Sequence, residues 1–209
     1  MPSTPYQPDH GHKQKHLHSF LAVLFLVSVF WGCSRQNADY RPPANITEVQ
    51  QALANRIISG DTVPVSKEVL LRILPERPEG FFPLTTTGSV FLTRNFSSLQ
   101  RLYRHPDGYT LKVTLADYAA DSAGFLFLFR RYERQRDSLM ISPPEGLPNG
   151  SFVWMPEDST SQTTQLEAGL YNRYHISCSG KIPQSKPVFE KIVSDISRNL
   201  PGESTYGKK

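Results

Sequence analysis

Metal sites, nucleophiles and proton relays are built from histidine, cysteine and paired carboxylates, and this chain holds few of these in useful spacing. Its cysteines are Cys33 and Cys178, and beyond residue 33 its histidines are His105 and His175. His175 and Cys178 fall in NRYHISCSG, which reads as a strand. Side chains three apart in a strand point to opposite faces, so this thiol and imidazole cannot meet. Tyr174, Ile176 and Cys178 share a face, where the thiol acts as a small apolar group. No HExxH, paired-cysteine, GxSxG, GxGxxG or P-loop pattern occurs. No metal ligand set, cofactor site or catalytic residue is therefore assigned.

Carboxylates come in two local pairs, Asp117 with Asp121 and Glu157 with Asp158. Two acids across a cleft can divide general acid and general base work. Asp121 also suits a helix cap, and Asp117 the polar end of a strand. An acid-based hydrolase stays open as the rival to a non-catalytic reading. Arg130, Arg131, Arg134 and Arg136 form the strongest charge cluster. On a helix Arg130 and Arg131 both neighbour Arg134, which offers contact with an anionic surface or simply a solvated face. A third option is a small-ligand pocket that uses Trp154 and Tyr171.

These side chains must be positioned by the elements that hydrophobic periodicity predicts. Asn45 and Glu48 make a capping-box arrangement ahead of Ile46, Val49, Leu53 and Ile57, which share a helical face until Ser59-Gly60. A short helix follows over 66–74, with Val69, Leu70 and Ile73 inward and Pro75 closing it. A strand is expected over 90–95 and another over 99–104. His105-Pro106-Asp107-Gly108 is a turn signal, and Tyr109, Leu111, Val113 and Leu115 then alternate with polar residues. Phe125, Leu128, Phe129 and Tyr132 stand at i, i+3, i+4 and i+7, which favours a helix over 121–138. Strands near 151–155, 165–170 and 173–179 precede a last helix striped by Phe189, Ile192, Val193, Ile196 and Leu200. Helices and antiparallel strands in this order predict an α+β class, with about five to six strands backed by helices.

The N-terminal segment carries the address. Residues 1–18 are polar, and 19–32 are almost wholly apolar, too short for a hydrocarbon core that needs about 20 helical residues. Such a charged, then apolar, then small-residue pattern fits a secretory signal. It stops at Phe30-Trp31-Gly32-Cys33, which resembles the lipobox of bacterial lipoprotein precursors, although Phe30 and Trp31 depart from the usual Leu and Ala or Ser. The resemblance implies that Cys33 is acylated and becomes the new N-terminus. Stable attachment takes two or more acyl chains such as palmitate, because one chain holds only marginally. The expected organisation is a signal over 1–32, an anchor and polar tether over 33–44, a single domain over 45–201 and a disordered tail over 202–209.

The resemblance places the domain in the cell envelope, on the extracytoplasmic side of a membrane. The outer membrane is favoured, since Ser34 and Arg35 bring no retention acid. Of 23 basic and 19 acidic residues, two and one precede Cys33, leaving 21 against 18. That balance carries no nucleic-acid footprint. The stretches LRILPERPEGFF, YTLKVTLADYAADSAG and NRYHISCSG are similar to small bacterial envelope proteins with a PsbP-like α/β sandwich. That resemblance implies a fold over about 65–200 and no activity, because a fold does not fix a function. The expected partners are the membrane, through the anchor, and an envelope protein.

Overall fold

Leu111, Val113 and Leu115 alternate with Thr110, Lys112 and Thr114, and that alternation places their strand at the centre of a sheet. A computed structural model describes residues 40–91, 95–136, 143–144, 146–156, 163–183 and 185–201. Strand β1 is Phe82–Phe91, β2 Phe96–Arg104, β3 Thr110–Asp117, β4 Phe152–Trp154, β5 Thr164–Leu170 and β6 Tyr174–Gly180. Helix α1 is Ile46–Ile58, α2 Lys67–Ile73, α3 Ser122–Gln135 and α4 Ser185–Asn199. The strands form one six-stranded sheet in the order β1-β2-β3-β6-β5-β4, and every neighbouring pair is antiparallel. The fold is α+β. The described residues belong to one compact unit.

Two cores lie on opposite sides of this sheet. On the first side, Leu70 and Ile73 of α2 and Phe189, Ile192, Val193 and Ile196 of α4 bury Leu99, Leu111, Val113, Leu115, Leu166, Ile176 and Cys178. On the second, Val49 and Leu53 of α1 and Phe125, Leu128, Phe129 and Tyr132 of α3 enclose Phe152 and Trp154. Val153 belongs to the first core, so adjacent β4 residues serve opposite sides, as strand alternation requires. Gly169 lets the Phe152 ring lie across β5, because any side chain there would collide with that ring.

Caps fall where the sequence places them. Asn45 accepts from the Glu48 amide at 3.1 Å, and Glu48 Oε2 accepts from the Ala44 amide at 2.8 Å. Ser66 accepts from the Val69 amide, and Asp121 Oδ1 from the Gly124 amide at 3.0 Å. The His105–Gly108 turn closes with Gly108 donating to the His105 carbonyl at 2.9 Å, at a φ of 92° that suits glycine.

Three expectations change. The first strand lies earlier than 90–95: β1 begins at Phe82, residues 92–94 lie outside the described residues, and Asn95 is left-handed with a φ of 47°. All ten β1 residues are exposed, so no buried face imposes alternation on FPLTTTGSVF. In α1, Ile57 is 47% exposed, and Arg56 takes the inward position because its guanidinium is needed beneath it. The segment read as tether docks before residue 45. Tyr40 donates to the Ser151 carbonyl at 3.0 Å, and Arg41 exchanges hydrogen bonds with the Asn149 side chain and the Gly150 amide. Residues 137 and 138, the end of the expected α3, lie outside the described residues, as do 1–39 and 202–209.

Candidate functional site

Sequence-predicted site residues separate in the structure. Cys178 is fully buried among the first core, and burial pushes its thiol well above the ordinary range, with the Glu167 carboxylate adding to the effect. His175 faces the second side, as strand parity requires. Asp121 serves as the α3 cap, while Glu157 and Asp158 lie outside the described residues, as does Cys33. Trp154 is wholly buried between Tyr132 and Phe152, and Tyr171 packs against Tyr174. A shallow groove of about 310 Å³ lies between α2 and the end of α4, lined by Val69, Arg72, Ile73, Asn199 and Pro201. It brings no cluster of converging polar groups.

Asp117 ends β3, as expected, and is also the centre of a buried clamp. Arg173 donates from Nε to Asp117 Oδ1 at 2.7 Å and from Nη2 to Oδ2 at 2.8 Å, a two-pronged match of guanidinium to carboxylate. The same carboxylate accepts from the Val65 and Ala119 amides, and Arg173 also reaches Asp61 and the Val63 carbonyl. Burial alone would lower the Arg173 guanidinium; hydrogen bonds and charge from Asp117 reverse this and hold it above its ordinary value. Arg56 donates to the carbonyls of Asn172 and Ala119, fixing two left-handed turns. Burial, then the neighbouring Arg173 charge, lowers Arg56. Arg56 Nε makes no hydrogen bond and lies 3.3 Å from Asp61 Oδ2. The other contacts of the clamp join side chains to one another and to backbone, so its chemistry is structural.

The second side of the sheet offers a different surface. Because α1 and α3 gather at the β4 end, the described residues leave the width from β1 to β6 open on this side. Its rows follow the strand register. One runs Ser89, Ser98, Ala116, His175, Gly169 and Phe152; the next runs Thr87, Gln100, Thr114, Ser177, Glu167 and Trp154. A third runs Thr85, Leu102, Lys112, Ser179 and Gln165. Hydroxyls and amides dominate. Phe91, Phe96 and Tyr118 close one end as an aromatic step, with centroids 6.1 Å and 5.1 Å apart.

Where the open and covered parts meet, Glu167 is 2% exposed and gathers its neighbours. Oε1 accepts from Gln165 Nε2 and from Ser177 Oγ, and Oε2 meets His175 Nε2. Tyr118 lies beside His175, and burial raises its phenol, with Asp121 and Glu167 adding and Arg131 opposing. Ser177 and His175 each bond to Glu167 rather than to one another. That order is wrong for a relay in which imidazole takes a serine proton, which needs nucleophile, base and orienting acid in sequence. Among the described residues no three histidine, cysteine or acidic side chains converge as a metal cage. Sequence reasoning did not single out Glu167. The available signal was an acid within the buried run QLEAGL, facing His175 and Ser177 two residues apart on the next strand.

The arginine cluster divides. Arg130 and Arg134 are exposed, and Arg131 is half-buried near Tyr118. Arg136 turns back and donates to the Ala44 carbonyl at 3.1 Å, tying α3 to the approach of α1. Arg130, Arg131 and Arg134 therefore share an arc of α3 that Arg136 leaves.

Comparison of the chain with protein-family profiles, with curated proteins and with solved structures finds no match.

Proposed function

We propose that this protein is a bacterial cell-envelope lipoprotein, anchored through Cys33, whose domain is a non-catalytic module that binds an envelope component or partner protein. The observation that carries the binding reading is the open second side of the sheet. Among the described residues Thr85, Thr87, Ser89, Gln100 and Lys112 are exposed there, and Ser98, Thr114, Ser177 and Ser179 half-buried, although helices are present on that side. Its Ser, Thr and Gln side chains present hydrogen-bond donors and acceptors that suit a polar partner. The anchor reading is supported by the apolar run ending at Gly32-Cys33. Among the described residues no helix is long and apolar enough to cross a membrane.

Cys33→Ser tests the anchor: the chain is expected to move from the membrane to the soluble fraction or to keep its leader. Unchanged retention and size would remove the anchor from the reading. A photo-crosslinking residue placed at Gln100 tests the surface, with the same probe at Lys191 on exposed α4 as the comparison. A discrete adduct from Gln100 alone is expected; equal labelling from both sites would argue against this surface.

An envelope hydrolase is the second reading, favoured by one observation, the Glu167–His175 contact at the edge of the open field. On that reading His175→Ala abolishes turnover of an envelope substrate. On the binding reading it changes affinity only.

A further inference from the structure

We propose that the outer surface of α3, formed by Phe127, Arg130, Arg131 and Arg134, lies against an anionic lipid bilayer. This rests on the Cys33 anchor and adds which side of the domain meets the membrane. Helical spacing puts these four side chains within an arc of about 100°, opposite the inward stripe of Phe125, Leu128, Phe129 and Tyr132. Phe127 is 62% exposed, an unusual position for a phenylalanine on a helix that buries four other apolar residues. Arg130, Arg131 and Arg134 make no ion pair among the described residues, although Glu133 stands three residues on from Arg130. An exposed aromatic ringed by guanidinium groups matches an interface of acyl chain beneath anionic headgroup.

The attachment point agrees. The chain enters the domain at Tyr40 and Arg41, and Ala44 is held by Arg136 at the C-terminal end of α3. Cys33 to Asp39 is seven residues, a reach of roughly 24 Å when extended. Phe127 lies nine residues before Arg136, about 14 Å along the helix axis. The anchor therefore has slack to let α3 lie flat, yet keeps it within one domain diameter of the headgroups. Confinement of this kind makes a weak surface contact persistent.

The test uses the full lipidated chain carrying Phe127→Trp, reconstituted into phosphatidylglycerol-containing vesicles with brominated acyl chains. Trp154 is wholly buried, so wild type supplies the unquenched reference. The expected result is loss of most of the added emission at low salt. That quenching should disappear in phosphatidylcholine vesicles of equal bromine content, and when Arg130, Arg131 and Arg134 are all changed to Gln. Each arginine should contribute about fivefold to the population of the docked state. A chain that floats with vesicles but keeps its emission, or is quenched equally in neutral lipid, overturns the docking face and leaves the anchor standing. A chain that does not float at all overturns the anchor, and the inference with it.

Discussion

On the side covered by α2 and α4, Leu99, Val113, Leu115, Leu166 and Ile176 are fully buried, while the same strands turn Gln100, Thr114, Ser177 and Gln165 the other way. Among the described residues both sides have two helices, so helix number does not separate them. Placement does: α2 and α4 each reach the sheet, whereas α1 packs chiefly on α3 and leaves only α3 to cover β4. Covering half a face concentrates the aromatic core at Phe152 and Trp154 and leaves a broad polar field beside it. The lesson is that one sheet can be given a well-covered side and a more open side by gathering both helices of the second side at one end.

Breaking the clamp should have the largest effect. Arg173→Ala strands a buried Asp117 carboxylate, and about 3–5 kcal/mol of stability should be lost, read as a urea midpoint shift with unchanged slope. A loss under about 1 kcal/mol would show that the clamp does not hold the two sides in register. Next comes the covered side itself. Leu115→Ala leaves a cavity at the sheet centre and should cost about 2–5 kcal/mol.

Alkaline pH probes the same core without mutation. Burial, against the opposing charge of Arg101, lifts the Tyr103 phenol to about 12, and its neutral hydroxyl donates to the Pro75 carbonyl at 2.6 Å. Below pH about 10 the folded and unfolded phenols are both protonated, so its stabilisation is fully present. Between about 10 and 12 the unfolded chain gives up its proton first, and stability falls by an amount on the order of 2 kcal/mol. Buried Cys178 acts in the same direction from the thiol range upward. Thermal melts from pH 8 to 11.5 should show this decline, and Tyr103→Phe should make it shallower. The smallest effect belongs to the open side: Gln100→Ala should change stability by no more than about 0.5 kcal/mol. A larger loss would mark that field as structural and erase the contrast between the sides.

Legibility in the sequence followed burial. Helices α3 and α4 and strand β3 each have one face in a core, so their periodicities were plain, and strand parity alone separated His175 from Cys178. Strand β1 has no buried face and gave no alternation. Arg56 and Arg173 were opaque for another reason. Their partners, Ala119, Asn172, Asp117 and Asp61, lie mostly far along the chain, and a charged residue carries no local mark of a distant carboxylate. The open polar field was invisible for the same cause, since its rows exist only once five strands are in register.

The strand order has a kinetic consequence. Strands β1, β2 and β3 are neighbours both in sequence and in the sheet, and so are β4, β5 and β6. Each triplet can zip through nearby turns, but the seam between β3 and β6 joins segments separated in the chain by α3, β4 and β5. Closing that span spends chain entropy before any contact rewards it. Asp117 and Arg173, 56 residues apart, sit at the end of this seam, so their ion pair forms only when the halves meet. A circular permutant cut between β3 and β4 lengthens that span, because α4, α1, α2, β1 and β2 then lie between β6 and β3, and it should fold more slowly while keeping the same native contacts.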